Sequence, residues 1–371
     1  MKVTELETFF VEPRWVFLKM GTDAGIVGWG EPVVEGWSQS VAAAVREMGR
    51  YLVGKDPRRI EHHWQALYRG GFYRGGPVLT SALSGIEQAM WDVKGKALGV
   101  PAHELLGGRV RDQIRVYCHV NWSQQEKYLN QKSRVEAGQF TAVKTSLFNE
   151  ARFVESKAFV EQAAGRMASL REDLGDEVDI GVDFHGRVSP ALAVQLAAAL
   201  ESYQPMFIEE PVLPGNVEEL ARVAHSTKVP VATGERLFTK WAFREVLEEQ
   251  AAAILQPDLS HAGGIFEVRK IAAMAEAHYA AIAPHCPLGP ISLAACLQVD
   301  ACTPNFLCQE QVTLGERYLR EPFEVKEGYV DVPVGPGLGV EVDEEAVAEG
   351  TYAGDWDNPR LWHEDGSVAD W

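Results

Sequence analysis

Positive charge is scarce in this 371-residue chain, which carries 35 lysines and arginines against 53 aspartates and glutamates, a formal net charge of −18. A surface this acidic repels phosphate backbones, and so it argues against a nucleic-acid partner. The same acidity does not exclude an anionic small-molecule substrate, because a bound metal ion can reverse the field locally.

Cysteines and long apolar runs are also few. The five cysteines are odd in number and lack zinc-type spacing, which predicts reduced thiols in a cytoplasmic protein. The longest apolar stretch, residues 191–200, is too short to span a bilayer, and residues 1–13 lack a charged-then-apolar leader. We therefore expect a cytoplasmic location and no membrane partner.

Residues 1–112 have the pattern of a mixed α+β unit. The segment 16–31 contains turn-forming Asp23, Gly25, Gly28 and Gly30, which predicts a β-hairpin. Apolar residues then recur at helical spacing in "LSGIEQAMWDVKGKAL", which predicts a helix over 83–98. The loop "FYRGGP" at 72–77 is a candidate substrate contact through Arg74.

From about residue 115, short β-rich runs alternate with amphipathic helical stretches. Such alternation predicts parallel strands joined by crossover helices, and eight such units close into a (β/α) barrel. The eight runs are 115–120, 142–146, 179–185, 205–211, 229–235, 252–258, 280–286 and 305–311.

A polar residue ends most of these runs. In order they are Lys144, Asp183, Glu209, Glu235, Asp258, His285 and Glu310. From Asp183 onward the gaps are 26, 26, 23, 27 and 25 residues, about one β/α unit each. These side chains should therefore share the carboxyl-terminal mouth of the barrel, where active sites of such barrels lie.

Asp183, Glu209 and Glu235 come from three neighbouring strands and should converge. Without a cation their carboxylates would repel one another strongly. An open, all-oxygen site favours Mg²⁺, with Mn²⁺ as a substitute. The alternative is that salt bridges to Lys144 or Arg236 balance the charge.

Two histidines flank this predicted site. In an extended strand Asp183 and His185 would project from the same face, whereas Asp258 and His285 end the sixth and seventh strands. A carboxylate that accepts a hydrogen bond from one imidazole nitrogen fixes the tautomer and raises the basicity of the other. One histidine can then take a proton while the other gives one. His119, near the first strand's exit, is a candidate substrate contact.

The motifs at these positions resemble the enolase superfamily, in its mandelate racemase-like branch and the galactonate dehydratases within it. They are "DFHGR" (183–187), "FIEEPV" (207–212), "ATGER" (232–236), "QPDLSHAGGI" (256–265), "APHCPLGP" (283–290), "WGEPV" (29–33), "GFYRGGP" (71–77) and "HEDGSVADW" (363–371). The resemblance runs almost end to end. It implies an α/β fold, a (β/α)7β TIM-like barrel (113–317), with an N-terminal α+β capping domain (1–112) completed by the C-terminal segment (318–371).

By position, the resemblance implies roles for single residues. Asp183, Glu209 and Glu235 match the magnesium ligands of the family. His185 matches the general acid and His285 the general base, with Asp258 orienting His285. Glu310 matches an acid that hydrogen-bonds the intermediate, a role that requires a raised pKa if Glu310 is the donor, and Lys144 adds positive charge.

The implied activity is a Mg²⁺-dependent sugar-acid dehydratase acting on galactonate. The second strand carries Lys144-Thr145-Ser146 where racemases of the branch have Lys-x-Lys, which favours elimination over racemisation. Ser146, a further candidate substrate contact, stands where galactonate dehydratases carry a larger amide, so gluconate or a five-carbon acid remains an alternative substrate. An epimerase and a catalytically silent sugar-acid-binding protein are further alternatives. The resemblance also suggests a homo-oligomer, with an octamer as one form.

Overall fold

The computed structural model describes residues 1–122 and 124–371. The chain begins with an antiparallel three-stranded sheet of β1 (Val3–Val11), β2 (Trp15–Thr22) and β3 (Val27–Gly30), in that order. Four helices follow: α1 (Ser38–Leu52), α2 (Ile60–Arg69), α3 (Pro77–Leu98) and α4 (Ala102–Leu105). The hairpin predicted at 16–31 is confirmed by the pairing of β2 with β3.

Helix α3 is longer than the sequence predicts. It begins at Pro77, which suits a first helical position because its missing N–H has no acceptor there, and it ends before Gly99 in a left-handed conformation. The predicted apolar positions are buried from Leu83 to Val93 and pack α3 against the sheet.

The second architectural unit is a curled, parallel sheet with helices between its strands. Its seven strands are β5 (Cys118–His119), β6 (Ala142–Thr145), β7 (Asp179–Asp183), β8 (Phe207–Glu209), β9 (Val231–Thr233), β10 (Ile254–Leu255) and β11 (Ala281–Ile282), adjacent in chain order. The helices are α5 (Gln125–Glu136), α6 (Lys157–Leu174), α7 (Pro190–Leu200), α8 (Val217–Ala224), α9 (Thr239–Glu248), α10 (Ile265–Ala277) and α11 (Pro290–Ala301). A short 3₁₀ helix, Glu201–Tyr203, follows α7.

Closure of the barrel differs from the simple eight-strand prediction. Residues 305–311 form no continuous strand but make two isolated parallel bridges, Phe306 to Ile282 and Gln309 to Val116. Leu307 N donates to Ile282 O and Gln309 N to Arg115 O, both at 2.8 Å. This segment therefore joins the two edges of the sheet and gives the TIM-like barrel its closure.

The predicted first run, 115–120, is also divided in the structure. Its first residue ends β4 (Gln113–Arg115), which pairs antiparallel with β12 (Tyr329–Asp331) outside the barrel, and only β5 joins the parallel sheet. After β12 come α12 (Glu344–Glu349), β13 (Leu361–Trp362) and β14 (Val368–Ala369). Tyr352 N donates to Phe10 O at 3.0 Å, so this segment contacts the N-terminal sheet.

Two carboxylates from the N-terminal unit cap helices of the barrel. Glu31 accepts from the backbone N–H of Gly289 (2.6 Å) and Ser292 (2.9 Å) at the start of α11. Glu87 does the same for α10, where Ile265 N (2.7 Å) and Phe266 N (2.9 Å) donate. Helix amino ends have unpaired N–H groups and favour negative charge. A Cβ at Gly289 would lie 2.6 Å from Glu31 Oε1, so glycine is needed there.

All five cysteines are buried free thiols, as the odd count and spacing predict. Within residues 1–122 and 124–371, no helix combines the length and the apolar character that crossing a membrane requires.

Asp300, in the last turn of α11, is buried where a charged carboxylate is unfavourable. Both its carboxylate oxygens lack a hydrogen-bond partner within the described part of the chain, and burial raises the pKa well above its ordinary value. The folded state thus holds a proton that the unfolded chain releases above about pH 4, and stability should fall as the pH rises from there.

We expect Asp300→Asn to be more stable than the wild type at pH 8, by about 1–3 kcal/mol in the free energy of unfolding. The difference should shrink towards pH 4, where the unfolded carboxyl is also protonated. Urea unfolding at both pH values measures this, with the exposed Asp176→Asn as control. A difference that does not change with pH would contradict the explanation.

Candidate active site

Three carboxylates converge at the carboxyl-terminal mouth of the barrel. Asp183 and Glu209 are the last residues of β7 and β8 and are paired in register, and Glu235 follows β9 by two residues. One oxygen from each lies within 4.8 Å of the others. The predicted convergence is therefore present, and such a set of hard oxygen donors suits a divalent cation.

Lys144, from β6, lies among these acids. Its Nζ is 3.0 Å from both carboxylate oxygens of Glu209, 2.8 Å from Glu310 Oε1 and 3.5 Å from Asp183 Oδ2. Burial opposes the charged form of Lys144, but Glu209 and Glu310 outweigh it and hold its pKa well above the ordinary value. Burial raises the pKa of Glu209, and Asp183 adds to that rise by repulsion.

His185 lies beside Asp183, although not as an extended strand would place it. Strand β7 ends at Asp183, and His185 takes a left-handed conformation with φ of 52°. This turn brings His185 N to 2.8 Å from Asp183 Oδ1 and His185 Nε2 to 3.1 Å from Asp183 Oδ2. Burial lowers the pKa of His185 to about 4, opposed by the Asp183 charge.

His285 occupies the other side of the carboxylate group. Its Nδ1 is 2.9 Å from Asp258 Oδ2, and its Nε2 is 3.3 Å from Glu235 Oε2 and 3.8 Å from Glu310 Oε2. Burial lowers the pKa of His285, but Glu235, Glu310 and Asp258 outweigh it and raise the pKa well above its usual range. The two imidazoles thus contact different members of the group, His185 at Asp183 and His285 at Glu235.

The sequence of the whole chain matches known families and proteins. Residues 127–346 match the family described as enolase C-terminal domain-like, and residues 7–107 match the mandelate racemase / muconate lactonizing enzyme N-terminal domain. The protein belongs to the enolase superfamily.

Curated relatives of this superfamily member are similar over their full length. D-galactonate dehydratases from Ralstonia nicotianae and Cronobacter sakazakii are 51% and 48% identical to it, with 100% of both chains covered.

Solved structures of enolase superfamily proteins share the fold. An enolase from Agrobacterium radiobacter, with bound sodium and L-malate and an ordered active site, superposes with a TM-score of 0.94 at 31% identity, covering 100% of both chains. A mandelate racemase/muconate lactonizing enzyme from Sulfitobacter has a TM-score of 0.90 at 34% identity, covering 95% of this chain and 96% of its own.

A donor role for Glu310 would require a raised pKa. Burial raises its pKa, but Lys144 and His285 outweigh burial and hold that pKa well below the ordinary value. As a carboxylate it accepts from Cys286 N at 2.8 Å, and its Oε1 is 2.6 Å from His119 Nε2. The positive charges at this site therefore surround Glu310, and they lower the pKa that a donor role for Glu310 would need to be raised.

The three predicted substrate contacts, His119, Ser146 and Arg74, have different surroundings in the structure. His119 contacts the site at Glu310, whose Oε1 lies 2.6 Å from His119 Nε2. The hydroxyl of Ser146 donates to Phe148 O at 2.8 Å, so it is already occupied by local backbone. Arg74 is exposed in the loop before α3 and has no ion pair or hydrogen bond with any residue of 1–122 or 124–371. Substrate contact by these residues stays a prediction.

One site residue was missed by sequence reasoning. Gln256 donates from Nε2 to Glu209 Oε2 at 2.8 Å, and its position two residues before Asp258 at a strand exit was the available signal. Arg236, which the sequence offered as a salt-bridge partner for the acids, donates from Nε to Glu210 Oε1 at 3.1 Å. Glu210 therefore pairs with Arg236 and is not one of the three converging carboxylates, as predicted for the neighbour of Glu209, although the strand ends at Glu209 and Glu210 takes a left-handed conformation with φ of 39°.

Lys144→Met should show how far the Lys144 ammonium offsets the negative charge of the buried acids around it. Removing one partner of a buried ion pair costs about 3–5 kcal/mol, so metal-free Lys144→Met should unfold at a lower temperature than the wild type. A divalent cation would replace the lost positive charge, and 10 mM is on the order of a saturating concentration for a weak site. We expect Mg²⁺ to raise the melting temperature of Lys144→Met more than that of the wild type.

Lys240→Met is the matched control, because Lys240 pairs with buried Glu267 at 2.9 Å away from the carboxylate group. It should lose stability without any added response to Mg²⁺. Equal Mg²⁺ responses in Lys144→Met and the wild type would show that the ammonium and the cation do not act on the same charges.

Proposed function

We propose that the protein is a Mg²⁺-dependent sugar-acid dehydratase that converts D-galactonate to 2-dehydro-3-deoxy-galactonate and water. The observation that carries the proposal is the pair of imidazoles on different members of one carboxylate group, in a chain about half identical to D-galactonate dehydratases over its full length. A base and an acid at separate positions are what an elimination needs, since one proton is removed and another is donated.

Asp183, Glu209 and Glu235 would hold the metal ion. The donor set fits, because all three offer carboxylate oxygens within 4.8 Å of one another, and these are the ligands that Mg²⁺ prefers. The bound ion would polarise the substrate carboxylate and offset the negative charge that develops on it. The neighbour that binds L-malate, a 2-hydroxy acid, agrees with a substrate that offers a carboxylate and a 2-hydroxyl.

In this proposal His285 takes the proton from C2 of the substrate. Glu235 and Glu310 favour its charged form, but a cation held by Glu235 would offset that carboxylate and favour the neutral ring that a base requires. Asp258 accepts from Nδ1, which fixes the tautomer and leaves Nε2 facing Glu235 and the carboxylate group. The electron pair left at C2 delocalises into the substrate carboxylate. Lys144, which lies beside Glu209 and Glu310, adds positive charge to the site where this negative charge develops.

His185 gives a proton to the 3-hydroxyl as the C3–O bond breaks. Burial favours the neutral ring, but the negative charge that develops on the substrate beside it would favour the charged ring that an acid requires. Water leaves, a C2–C3 double bond forms, and the resulting enol becomes the 2-keto acid by taking a proton at C3 and releasing the proton of its 2-hydroxyl. The atoms balance as galactonate giving the 2-keto-3-deoxy acid plus one water. His185 is suited to this because its backbone is fixed by hydrogen bonds from His185 N to Asp183 and from Arg236 Nη2 to His185 O.

The test is a 2-keto acid assay with semicarbazide after incubation with Mg²⁺ and a panel of aldonic acids. We expect keto acid from D-galactonate and little from gluconate or the pentonates. Keto acid from another aldonic acid instead would change the substrate but keep the reaction. Exchange of the C2 proton or epimer formation without keto acid would indicate a racemase, and no change in any acid would refute the proposal.

We propose further that residues 1–112 and 318–371 form the cap over a barrel of residues 113–317, and that the chain forms homo-oligomers such as octamers. The capping of α10 and α11 by Glu87 and Glu31 supports the first proposal. Light scattering after size exclusion tests the second. The cytoplasmic location stays a prediction.

A further inference from the structure

The segment 352–371 runs from the N-terminal sheet to the barrel mouth. Near its start, Gln39 Nε2 donates to Ala353 O at 2.6 Å and Asn358 Nδ2 donates to Glu35 O at 3.1 Å. The segment then forms the β13–β14 hairpin, in which Leu361 pairs with Ala369. This stretch contains the motif "HEDGSVADW", for which the proposed reaction has so far supplied no role.

Trp371, just beyond β14, contacts the histidine proposed as the general acid. The ring centroids of Trp371 and His185 lie 5.7 Å apart at 87°, an edge-to-face arrangement. The guanidinium carbon of Arg187 lies 6.0 Å from the centroid of the Trp371 ring. Both distances are within the range in which aromatic and cation–π contacts are attractive.

His185 has few other side-chain restraints. Its Nε2 is near Asp183 Oδ2, but its Nδ1 is buried with no hydrogen-bond partner within residues 1–122 and 124–371. The backbone is fixed by the turn, whereas rotation of the imidazole is limited by what packs against it. Among the described side chains, the Trp371 ring is the aromatic group in contact with that imidazole.

We infer that Trp371 is a positioning residue for His185 and, together with Arg187, forms the wall of the substrate pocket on the side where the 3-hydroxyl leaves. This inference rests on the proposed dehydratase function. A general acid must be held within hydrogen-bond reach of the atom it protonates, and loosening it lowers the rate of that step. Removing the ring should therefore slow loss of the hydroxyl and leave removal of the C2 proton by His285 largely intact.

The expected decrease in kcat follows from the contribution of acid catalysis. General acid–base catalysis raises the rate by about 10²–10⁴-fold, and a misoriented acid should lose only part of that increase. We expect Trp371→Ala to lower kcat for D-galactonate by about 10- to 100-fold, with Trp371→Phe in between. Exchange of the C2 proton with solvent should fall by less than about 3-fold.

The matched control is Trp362→Ala. Trp362 lies in β13 of the same hairpin and is 55% exposed, compared with 48% for Trp371, but no ring contact joins it to His185 within the described residues. It should keep the wild-type kcat. Melting temperatures of all three variants show whether each is folded.

A substrate with a better leaving group separates positioning of the acid from a general structural role. Fluoride leaves as a stable anion and needs little help from an acid. With 3-deoxy-3-fluoro-galactonate, Trp371→Ala should release fluoride at close to the wild-type rate. Equal losses with both substrates, or a kcat for Trp371→Ala equal to that of Trp362→Ala, would overturn the inference.

A second measurement does not depend on turnover. Diethyl pyrocarbonate modifies accessible imidazoles, and peptide mass spectrometry gives the rate at His185. We expect faster modification of His185 in Trp371→Ala than in Trp362→Ala, and an unchanged rate would contradict the inference. If the wild type does not dehydrate galactonate, the proposed function fails, while this rate still shows whether Trp371 covers His185.

Discussion

Glu209→Gln and Glu235→Gln should each lose measurable turnover of D-galactonate, with kcat reduced by about 10³–10⁴-fold or more. An amide keeps the shape of the side chain but removes the negative charge that holds a divalent cation. Loss of a cation that supplies several kcal/mol of stabilisation to the developing charge accounts for a decrease of this size. Isothermal titration calorimetry with Mg²⁺ and the keto acid assay measure the two effects together.

Glu210→Gln is the control for these variants, because Glu210 is adjacent in sequence and buried but pairs with Arg236 and is not one of the three converging carboxylates. It should be less stable than the wild type and still bind Mg²⁺. Robust turnover by Glu209→Gln, or by wild-type protein treated with a chelator, would contradict a role for the metal.

Replacing the two histidines should have different consequences. His285→Asn should stop both turnover and exchange of the substrate C2 proton with solvent, since no other imidazole lies at Glu235 among the described residues. His185→Asn should lose dehydration and keep C2 exchange. Each loss of kcat should be about 10²–10⁴-fold, the range that a positioned acid or base supplies.

The exchange is followed by NMR in deuterium oxide, as loss of the C2 proton signal of galactonate. Asp258→Asn should slow exchange without abolishing it, because it leaves His285 in place but changes its tautomer and orientation. Persistent C2 exchange in His285→Asn would assign the base elsewhere. Loss of exchange in His185→Asn would mean that the two roles are not divided between the two rings.

The positions of the site residues could be predicted because a parallel barrel is built from repeated β/α units of similar length. The interval of about one β/α unit between Asp183, Glu209 and Glu235 brings side chains that are far apart in sequence to one mouth, and the structure places them together. Pairing of Asp258 with His285 follows from the same repeat and is confirmed at 2.9 Å.

Local conformation could not be predicted from this repeat. Alternation along a strand predicts the correct neighbours, Asp183 and His185, for an incorrect reason, since the strand ends and a left-handed turn brings them together. The irregular closure by 305–311 depends on hydrogen bonds to both sheet edges, which no local pattern encodes.

The charge balance also depends on contacts between distant elements. Lys144 was identified at a strand exit, but its simultaneous approach to Glu209 and Glu310 favours the charged form of both acids. Burial and Asp183 outweigh Lys144 and raise the pKa of Glu209, whereas Lys144 and His285 outweigh burial and lower the pKa of Glu310. The capping of α11 by Glu31, a residue of the loop after β3, spans more than half the chain. Sequence spacing carries no information about such contacts.

A crystal structure of His285→Asn with Mn²⁺ and D-galactonate would test the proposed reaction geometry most directly. We expect an anomalous peak for Mn²⁺ between Asp183, Glu209 and Glu235, with C2 of the substrate facing residue 285 and the 3-hydroxyl facing His185. A metal peak elsewhere, or C2 and the 3-hydroxyl both facing the same histidine, would contradict the elimination proposed for this site.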